Sequence, residues 1–215
     1  MKLQLALDQI SLDQAIEVVA ETQDLIDIVE IGTPFIIKEG LAAVAAMKKR
    51  FTRITVVADL KIVDGGAYES RIAFESGADI VTVLAFAHDV TVREAVREAE
   101  KHDGSIMVDL LGIEDVTRGI ARAEAIGARY VCLHTASDLT GLARDNLSGL
   151  EKAMAAARTS KIAVAGGITL ETVEQILRRR PEILIVGGAI MKQRDKRGAA
   201  LHFRRRIDQA DREAG

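Results

Sequence analysis

Val56-Val57-Ala58-Asp59-Leu60-Lys61-Ile62-Val63-Asp64-Gly65-Gly66 opens as an apolar strand and runs straight into an acid, a base and a second acid. Side chains two apart on a strand share a face. Alternation therefore predicts Asp59 and Lys61 on one side and Leu60 on the other. Asp64 follows in a turn that Gly65 and Gly66 make flexible. A carboxylate and an ammonium on one face set each other's charge, and such a pair can hold a metal or handle a proton. The plainer reading of the stretch by itself is a solvated strand end with a salt bridge.

Similar apolar runs lie on both sides of it: Leu3 to Asp8, Ile26 to Gly32, Ala78 to Leu84, Ile106 to Asp109, Tyr130 to His134, Ile162 to Gly167 and Ile183 to Gly188. Helical patterns separate them. Ser11-Leu12-Asp13-Gln14 reads as a capping box ahead of Ile16, Val19 and Ala20. Further helices are expected over Leu41 to Lys49, over Tyr68 to Ser76 with Gly77 as its cap, over 90–101, and over 114–126 stopped by Gly127. Three more follow: one near 149–157 after a polar loop, one capped by Thr169, and a closing helix over 195–210. The strand runs are nearly continuous in apolar residues, as parallel strands covered on both faces should be. Their spacing of about 25 residues leaves room for one crossover helix each. Eight such units predict an α/β chain folded as one (β/α)₈ TIM barrel domain over residues 1–215. An open doubly wound sheet would carry a glycine fingerprint after its first strand, where this chain has Asp8-Gln9.

The composition narrows the function. Of 215 residues, 48% are hydrophobic but only 3% are aromatic, so the core is aliphatic. A net charge of -3 and the lack of any basic-aromatic patch argue against nucleic acid. No apolar run reaches membrane-spanning length. Cys132 is the single cysteine, which excludes an internal disulfide and suits a reducing compartment. With a strand starting at the first residues there is no signal peptide to expect, and the cytoplasm is the expected location.

In a barrel the strand C-termini and the loops after them form one face, and active sites sit there. Asp8, Glu30, Asp59, Lys61, Asp64, Asp109 and His134 all fall at such ends. Each has a structural alternative. Asp8 and Asp109 could cap their loops, Glu30 could pair with Lys61, and His134 could be a hydrogen-bonded core histidine. Together they read as a catalytic set. The last two strands end differently, in Gly166-Gly167 and Gly187-Gly188. Glycines expose backbone N–H groups, and phosphate sites in barrels commonly lie after strands seven and eight. Lys192 or Arg194 could add charge there. Tight turns are the structural alternative. The resulting picture is a phosphorylated small molecule whose other end reaches the acids, Lys61 and His134. Carboxylates from Glu30 and Asp59 suit Mg²⁺ better than zinc, because thiol and histidine clusters are absent. Such an ion could grip adjacent sugar oxygens, and His134 has the natural pKa to move a proton near neutrality.

These residues resemble a known family. Leu3-Ala6-Leu7-Asp8, Val29-Glu30-Ile31-Gly32-Thr33-Pro34, the Asp59 to Asp64 motif, Asp79 to Leu84, Val108-Asp109-Leu110, His134-Thr135 and both Gly-Gly ends are similar to the 3-hexulose-6-phosphate synthases. These belong to the orotidine-monophosphate decarboxylase superfamily. The resemblance runs from Leu3 to about Ile207. It implies a homodimeric barrel and Mg²⁺-dependent aldol condensation of formaldehyde with D-ribulose 5-phosphate to D-arabino-3-hexulose 6-phosphate. It implies that Glu30 and Asp59 approach the metal, that Lys61 sits by the enediolate oxygens, that Asp64 reaches into the neighbouring subunit's site, and that His134 transfers the proton. The related 3-keto-L-gulonate-6-phosphate decarboxylases share these five residues but typically follow the histidine with arginines. Here the run is His134-Thr135-Ala136-Ser137-Asp138, with no Arg before Arg144, as in the synthases. Gly65, where Ala is commoner, and the basic Met191-Lys192-Gln193-Arg194 depart from the usual pattern. A barrel that binds sugar phosphates without catalysis is the reading from a different class.

Overall fold

A computed structural model of the chain describes residues 1–139 and 146–213. Eight parallel strands close into a barrel in chain order, each paired with the next and the eighth paired with the first. They are β1 (Lys2–Leu7), β2 (Ile28–Ile31), β3 (Thr55–Ile62), β4 (Ile80–Leu84), β5 (Ser105–Asp109), β6 (Tyr130–His134), β7 (Lys161–Ala165) and β8 (Ile183–Val186). The predicted (β/α)₈ barrel is therefore the observed fold.

Alternation along the strands builds two apolar layers. Leu3, Leu5 and Leu7 of β1 point outward into the shell beneath the helices. Ile28, Val57, Ile80, Met107, Tyr130 and Ile183 point inward and pack the barrel's interior. Both layers are buried, and each fully buried aliphatic side chain contributes about 1.5 to 3 kcal/mol. Filling the interior with side chains makes it a packed core rather than a pore.

The helices follow from local signals. α1 (Leu12–Thr22) starts on a full capping box between Ser11 and Gln14. α2 (Thr33–Glu39) was not expected from the sequence pattern. It is two turns long, too short to show a periodicity, and Pro34 in its first turn starts it because a proline there gives up no needed N–H. α3 (Ala42–Arg50) ends in Lys48, Lys49 and Arg50, which suit the negative end of the helix dipole. α4 (Gly66–Glu75) ends at Ser76, and Gly77 follows in the left-handed region at φ 96°. α5 (Asp89–Lys101) is followed by α6 (Val116–Ile126), capped by the Asp115 carboxylate and closed by Gly127. α7 is Asn146–Ala156 and α8 is Val173–Leu177. Thr172, not Thr169, is the N-cap of α8; Thr169 opens the turn before it. α9 (Gly188–Met191) begins in the second Gly-Gly, and α10 (Lys196–Arg212) closes the chain against α1 and β1. Among the described residues no helix is long and apolar enough to cross a membrane.

Candidate active site

The C-terminal mouth of the barrel gathers most of the residues singled out above. β3 departs from regular alternation to do so. Ala58 pairs with Val81 of β4 and Ile62 pairs with Val83, so Asp59, Leu60 and Lys61 together span the single residue Thr82. Lys61 takes a left-handed backbone at φ 51°. For a residue with a Cβ that conformation costs about 1 to 3 kcal/mol and persists where the surroundings enforce it. Asp59 and Lys61 do meet, in a hydrogen-bonded ion pair between Nζ and Oδ2, but through a bulge rather than through simple alternation.

Asp59 is the centre of this network. Its Oδ1 accepts from the Thr82 hydroxyl at 2.8 Å, and Thr33 Oγ1 lies 2.9 Å from its Oδ2. Lys61 Nζ also donates to Thr33 Oγ1 at 3.0 Å. Burial pushes the Asp59 carboxyl up, but the Lys61 charge and the hydrogen bonds from Lys61, Thr82 and Thr33 outweigh it and hold it below its ordinary value. Burial likewise pulls the Lys61 ammonium down, and Asp59, then Asp109 and Glu30, more than reverse this and raise it. The pair is thus ionised on both sides near neutral pH.

His134, at the end of β6, faces Asp109, at the end of β5. Its Nδ1 lies 2.7 Å from Asp109 Oδ2, and Asp109 Oδ1 accepts the Leu111 N–H at 2.9 Å. Asp109 is buried, and its carboxylate is anchored by the backbone it caps. With Asp109 Oδ2 accepting a hydrogen bond from the Nδ1–H, the neutral ring keeps its lone pair on Nε2. One Asp109 oxygen thus caps the loop after β5 and the other meets the histidine ring.

Glu30, on β2, does not pair with Lys61. Its Oε2 accepts from Gln4 Nε2 at 2.6 Å. Burial first, and the nearby Asp59 second, push the Glu30 carboxyl up to about 8, against the pull of Gln4 and Lys61. Asp8, at the end of β1, is raised in the same way by burial and Asp59, with Lys61 and His134 opposing. Asp8 also explains Gly32: a Cβ there would stand 2.1 Å from Asp8 Oδ1. Asp64 lies apart from these groups, exposed in the turn after β3, where its Oδ1 accepts the Gly65 N–H at 2.7 Å.

The Gly-Gly ends are also at the mouth. Gly166 and Gly167 both have left-handed backbones, at φ 92° and 67°. A Cβ on Gly166 would meet the Thr135 carbonyl oxygen at 2.1 Å, so close backbone approach already requires a glycine there. Gly187 borders Asp8 and Ala6, and the nearest atoms to a Cβ on Gly188 would be those of the Lys192 side chain, with Nζ 3.8 Å away. Arg144 lies outside the described residues. A cavity of about 910 Å³ sits at the opposite end of the barrel, between Lys2, Asp27, Arg50 and Thr55, and holds none of the strand-end acids.

Gln4, Thr33 and Thr82 belong to this site and were not singled out from the sequence. Each carried a faint signal. Gln4 shares the inward face of β1 with Ala6 and Asp8, Thr82 is a polar residue within an apolar run, and Thr33 precedes the Pro34 that opens α2.

The sequence as a whole matches, over residues 1–203, the family described as Orotidine 5'-phosphate decarboxylase / HUMPS family. This chain belongs to that family. Within it, the chain is 41% identical over 209 residues to the 3-hexulose-6-phosphate synthase of Bacillus subtilis (strain 168), covering 97% of this chain and 100% of the relative. A crystal structure of 3-hexulose-6-phosphate synthase from Salmonella typhimurium superposes with a TM-score of 0.95 at 36% identity, covering 98% of this chain and 100% of the other. A 3-keto-L-gulonate-6-phosphate decarboxylase from Vibrio cholerae superposes at 0.85 with 27% identity, covering 97% of each chain. Family membership and these end-to-end likenesses make the chain an enzyme, a lyase of the aldolase group.

Family membership also implies a divalent metal. Glu30 and Asp59 offer hard oxygen donors, and the proximity of Asp59 is one reason Glu30 is pushed up, which a divalent cation would offset. Among the described residues no group of three or more His, Cys, Asp or Glu is arranged to hold a metal by itself. Such a pair fits Mg²⁺, which is usually bound by one or two carboxylates with water and substrate oxygens completing the shell. Cys132 is buried in the barrel, and burial, then Asp109, Glu30 and Asp59, push its thiol well above the ordinary range, so it stays a neutral thiol.

Proposed function

We propose that the chain condenses formaldehyde with D-ribulose 5-phosphate, reversibly, to give D-arabino-3-hexulose 6-phosphate. The observation that carries the reading is the His134–Asp109 pair at the same mouth as the ionised Lys61–Asp59 pair. The reaction needs a base for the C1 proton and positive charge beside the oxygens that become negative.

His134 Nε2 takes the C1 proton while Asp109 holds the ring and stabilises its charged form. The Lys61 ammonium stands beside the enediolate oxygens and offsets their developing charge. Asp59 keeps that ammonium charged and aimed. Mg²⁺, held by Glu30 and Asp59, would supply further positive charge to the substrate's oxygens. The enediolate carbon C1 then attacks formaldehyde: a C–C bond forms, the formaldehyde C=O π bond opens, the C2 carbonyl is restored, and the new alkoxide takes back the proton held on His134 Nε2. Backbone N–H groups around Gly166-Gly167 and Gly187-Gly188 hold the phosphate, with Lys192 beside Gly188 as added charge.

Asp64 acts in the site of a second copy of the chain. Support comes from the exposed apolar residues near it: Val63, Tyr68, Ile72, Phe86 and Val90, on α4, α5 and the loops leading into them. Exposed apolar side chains gathered in this way mark an association surface. A reducing, cytoplasmic location accords with a buried free thiol.

The run His134-Thr135-Ala136-Ser137-Asp138 favours the aldolase over 3-keto-L-gulonate-6-phosphate decarboxylation, because it lacks an arginine to clamp a substrate carboxylate. The test is turnover of the purified protein with formaldehyde, ribulose 5-phosphate and Mg²⁺, run beside 3-keto-L-gulonate 6-phosphate. Condensation that EDTA abolishes and Mg²⁺ or Mn²⁺ restores is the expected result. Loss of CO₂ without condensation would establish the decarboxylase, and metal-dependent turnover of neither would leave a binding barrel.

A further inference from the structure

We propose that Thr82 is a positioning residue for the Lys61–Asp59 pair, its hydroxyl holding the β3 bulge in the shape that turns both side chains toward the substrate. The inference rests on the reading of Lys61 and Asp59 as groups that act on the substrate.

The bulge removes regular ladder pairing from the three residues Asp59, Leu60 and Lys61. Backbone groups in such a gap need other partners. The Lys61 N–H finds one in Thr82 Oγ1, at 2.9 Å. The same hydroxyl donates its proton to Asp59 Oδ1 at 2.8 Å. A threonine hydroxyl has one proton to give and lone pairs to receive, and here both capacities are used. Thr82 is buried, at 4% exposure, so water is a poor substitute for either bond. One oxygen thus ties the left-handed backbone of Lys61 to the carboxylate that its side chain grips. Thr33 braces the outer side of the pair, through Asp59 and Lys61 Nζ. Among the described residues its hydroxyl bonds Asp59 and the Lys61 side chain, while the Lys61 N–H goes to Thr82.

Thr82→Val keeps the shape of the side chain and deletes the oxygen. It strands the Lys61 N–H and removes a donor from Asp59. Thr82→Ser keeps the oxygen and deletes the methyl. If the hydroxyl positions the pair, Thr82→Val lowers kcat by about a hundredfold, the scale of a small misplacement of reacting groups. The KM for ribulose 5-phosphate stays within about twofold, since the phosphate is held elsewhere. Thr82→Ser keeps kcat within about threefold, whatever the missing methyl does to Tm. A role in packing alone predicts the reverse order, because Ser leaves a void and Val does not.

The experiment measures kcat, KM and Tm for wild type, Thr82→Val, Thr82→Ser and Lys61→Ala. It adds hydrogen exchange of the Lys61 amide by NMR, which needs no turnover. Protection of that amide in wild type and Thr82→Ser, with loss in Thr82→Val, supports the proposal. Wild-type kcat in Thr82→Val beside an inactive Lys61→Ala overturns the role of Thr82 alone. Equal losses in Val and Ser that follow Tm overturn it in favour of packing. Full activity in Lys61→Ala overturns the reading of the pair, and the inference with it.

Discussion

Gln4 Nε2 donates to Glu30 Oε2 at 2.6 Å inside the barrel, and Gln4 Oε1 has no donor among the described residues. The amide is fully buried, and the one strong bond it makes goes to a carboxyl that burial has pushed up to about 8. Burial and the nearby Asp59 thus favour the protonated form of Glu30.

Without a divalent ion, the raised Glu30 pKa should make the fold weaken as pH rises. The folded chain holds a proton on Glu30 that the unfolded chain releases near its ordinary 4.5. Between those values the native state binds more protons, so unfolding free energy falls with rising pH. The contribution is complete below about pH 4.5 and is lost as pH passes 8. Urea titrations in EDTA at a series of pH values should show this slope, and Glu30→Gln should flatten it. Mg²⁺ should raise stability most at the alkaline end, where Glu30 ionises as a ligand.

The histidine pair predicts a matched set of defects. His134→Ala should lower kcat by about 10²- to 10⁴-fold, the usual worth of a general base. It should also stop exchange of the C1 proton of ribulose 5-phosphate with D₂O when formaldehyde is absent. Asp109→Asn should do nearly the same. Its amide can donate to Nδ1, which moves the ring proton to Nε2 and removes the basic lone pair. NMR follows the exchange directly. Wild-type exchange in His134→Ala would mean that another group takes the proton.

Phosphate binding is best probed at Gly188. Gly166 is a poor choice, because its clash with the Thr135 carbonyl would disturb the strand end itself. Gly167 has a left-handed backbone, so a side chain there is strained in any case. The nearest atoms to a Cβ at Gly188 belong to the Lys192 side chain, at 3.5 Å and beyond, which is ordinary contact. Gly188→Val should raise KM for the sugar phosphate strongly and leave Tm nearly unchanged. An unchanged KM in either Gly188→Val or Gly167→Val, with the fold intact, would remove these loops from the phosphate.

The shared site predicts complementation. Asp64→Asn and Lys61→Ala subunits, each nearly inactive alone, should recover activity when mixed. A mixed dimer restores one site with an intact Lys61 from one subunit and an intact Asp64 from the other. Verified heterodimers with no recovered activity would count against a site shared between subunits and place Asp64 in its own subunit's site.

The repeat of apolar run and helix was enough to read the barrel, because parallel strands covered on both faces need continuous hydrophobicity and crossovers of helical length. The polar residues at the ends of those runs were equally legible. Asp8, Glu30, Asp59, Lys61, Asp109 and His134 had no apolar role to fill, and closure of the barrel brings their strand ends to one face. The two-turn α2 was not legible, since its seven residues are too few for a helical period to emerge.

What the tertiary structure decided was which of these groups meet. Alternation gives the direction of a side chain while a strand stays regular, and β3 does not. Its bulge, the left-handed Lys61 and the Thr82 hydroxyl between them depend on how β3 registers against β4, a pairing 21 to 23 residues apart in sequence. The His134–Asp109 bond spans 25 residues and the Gln4–Glu30 bond 26, each across neighbouring strands. Local sequence sets strand, helix and the polarity of each end. Partner, ionisation and aim come from closure of the barrel, which removes the groups from water and leaves each charge with the neighbours that fold provides.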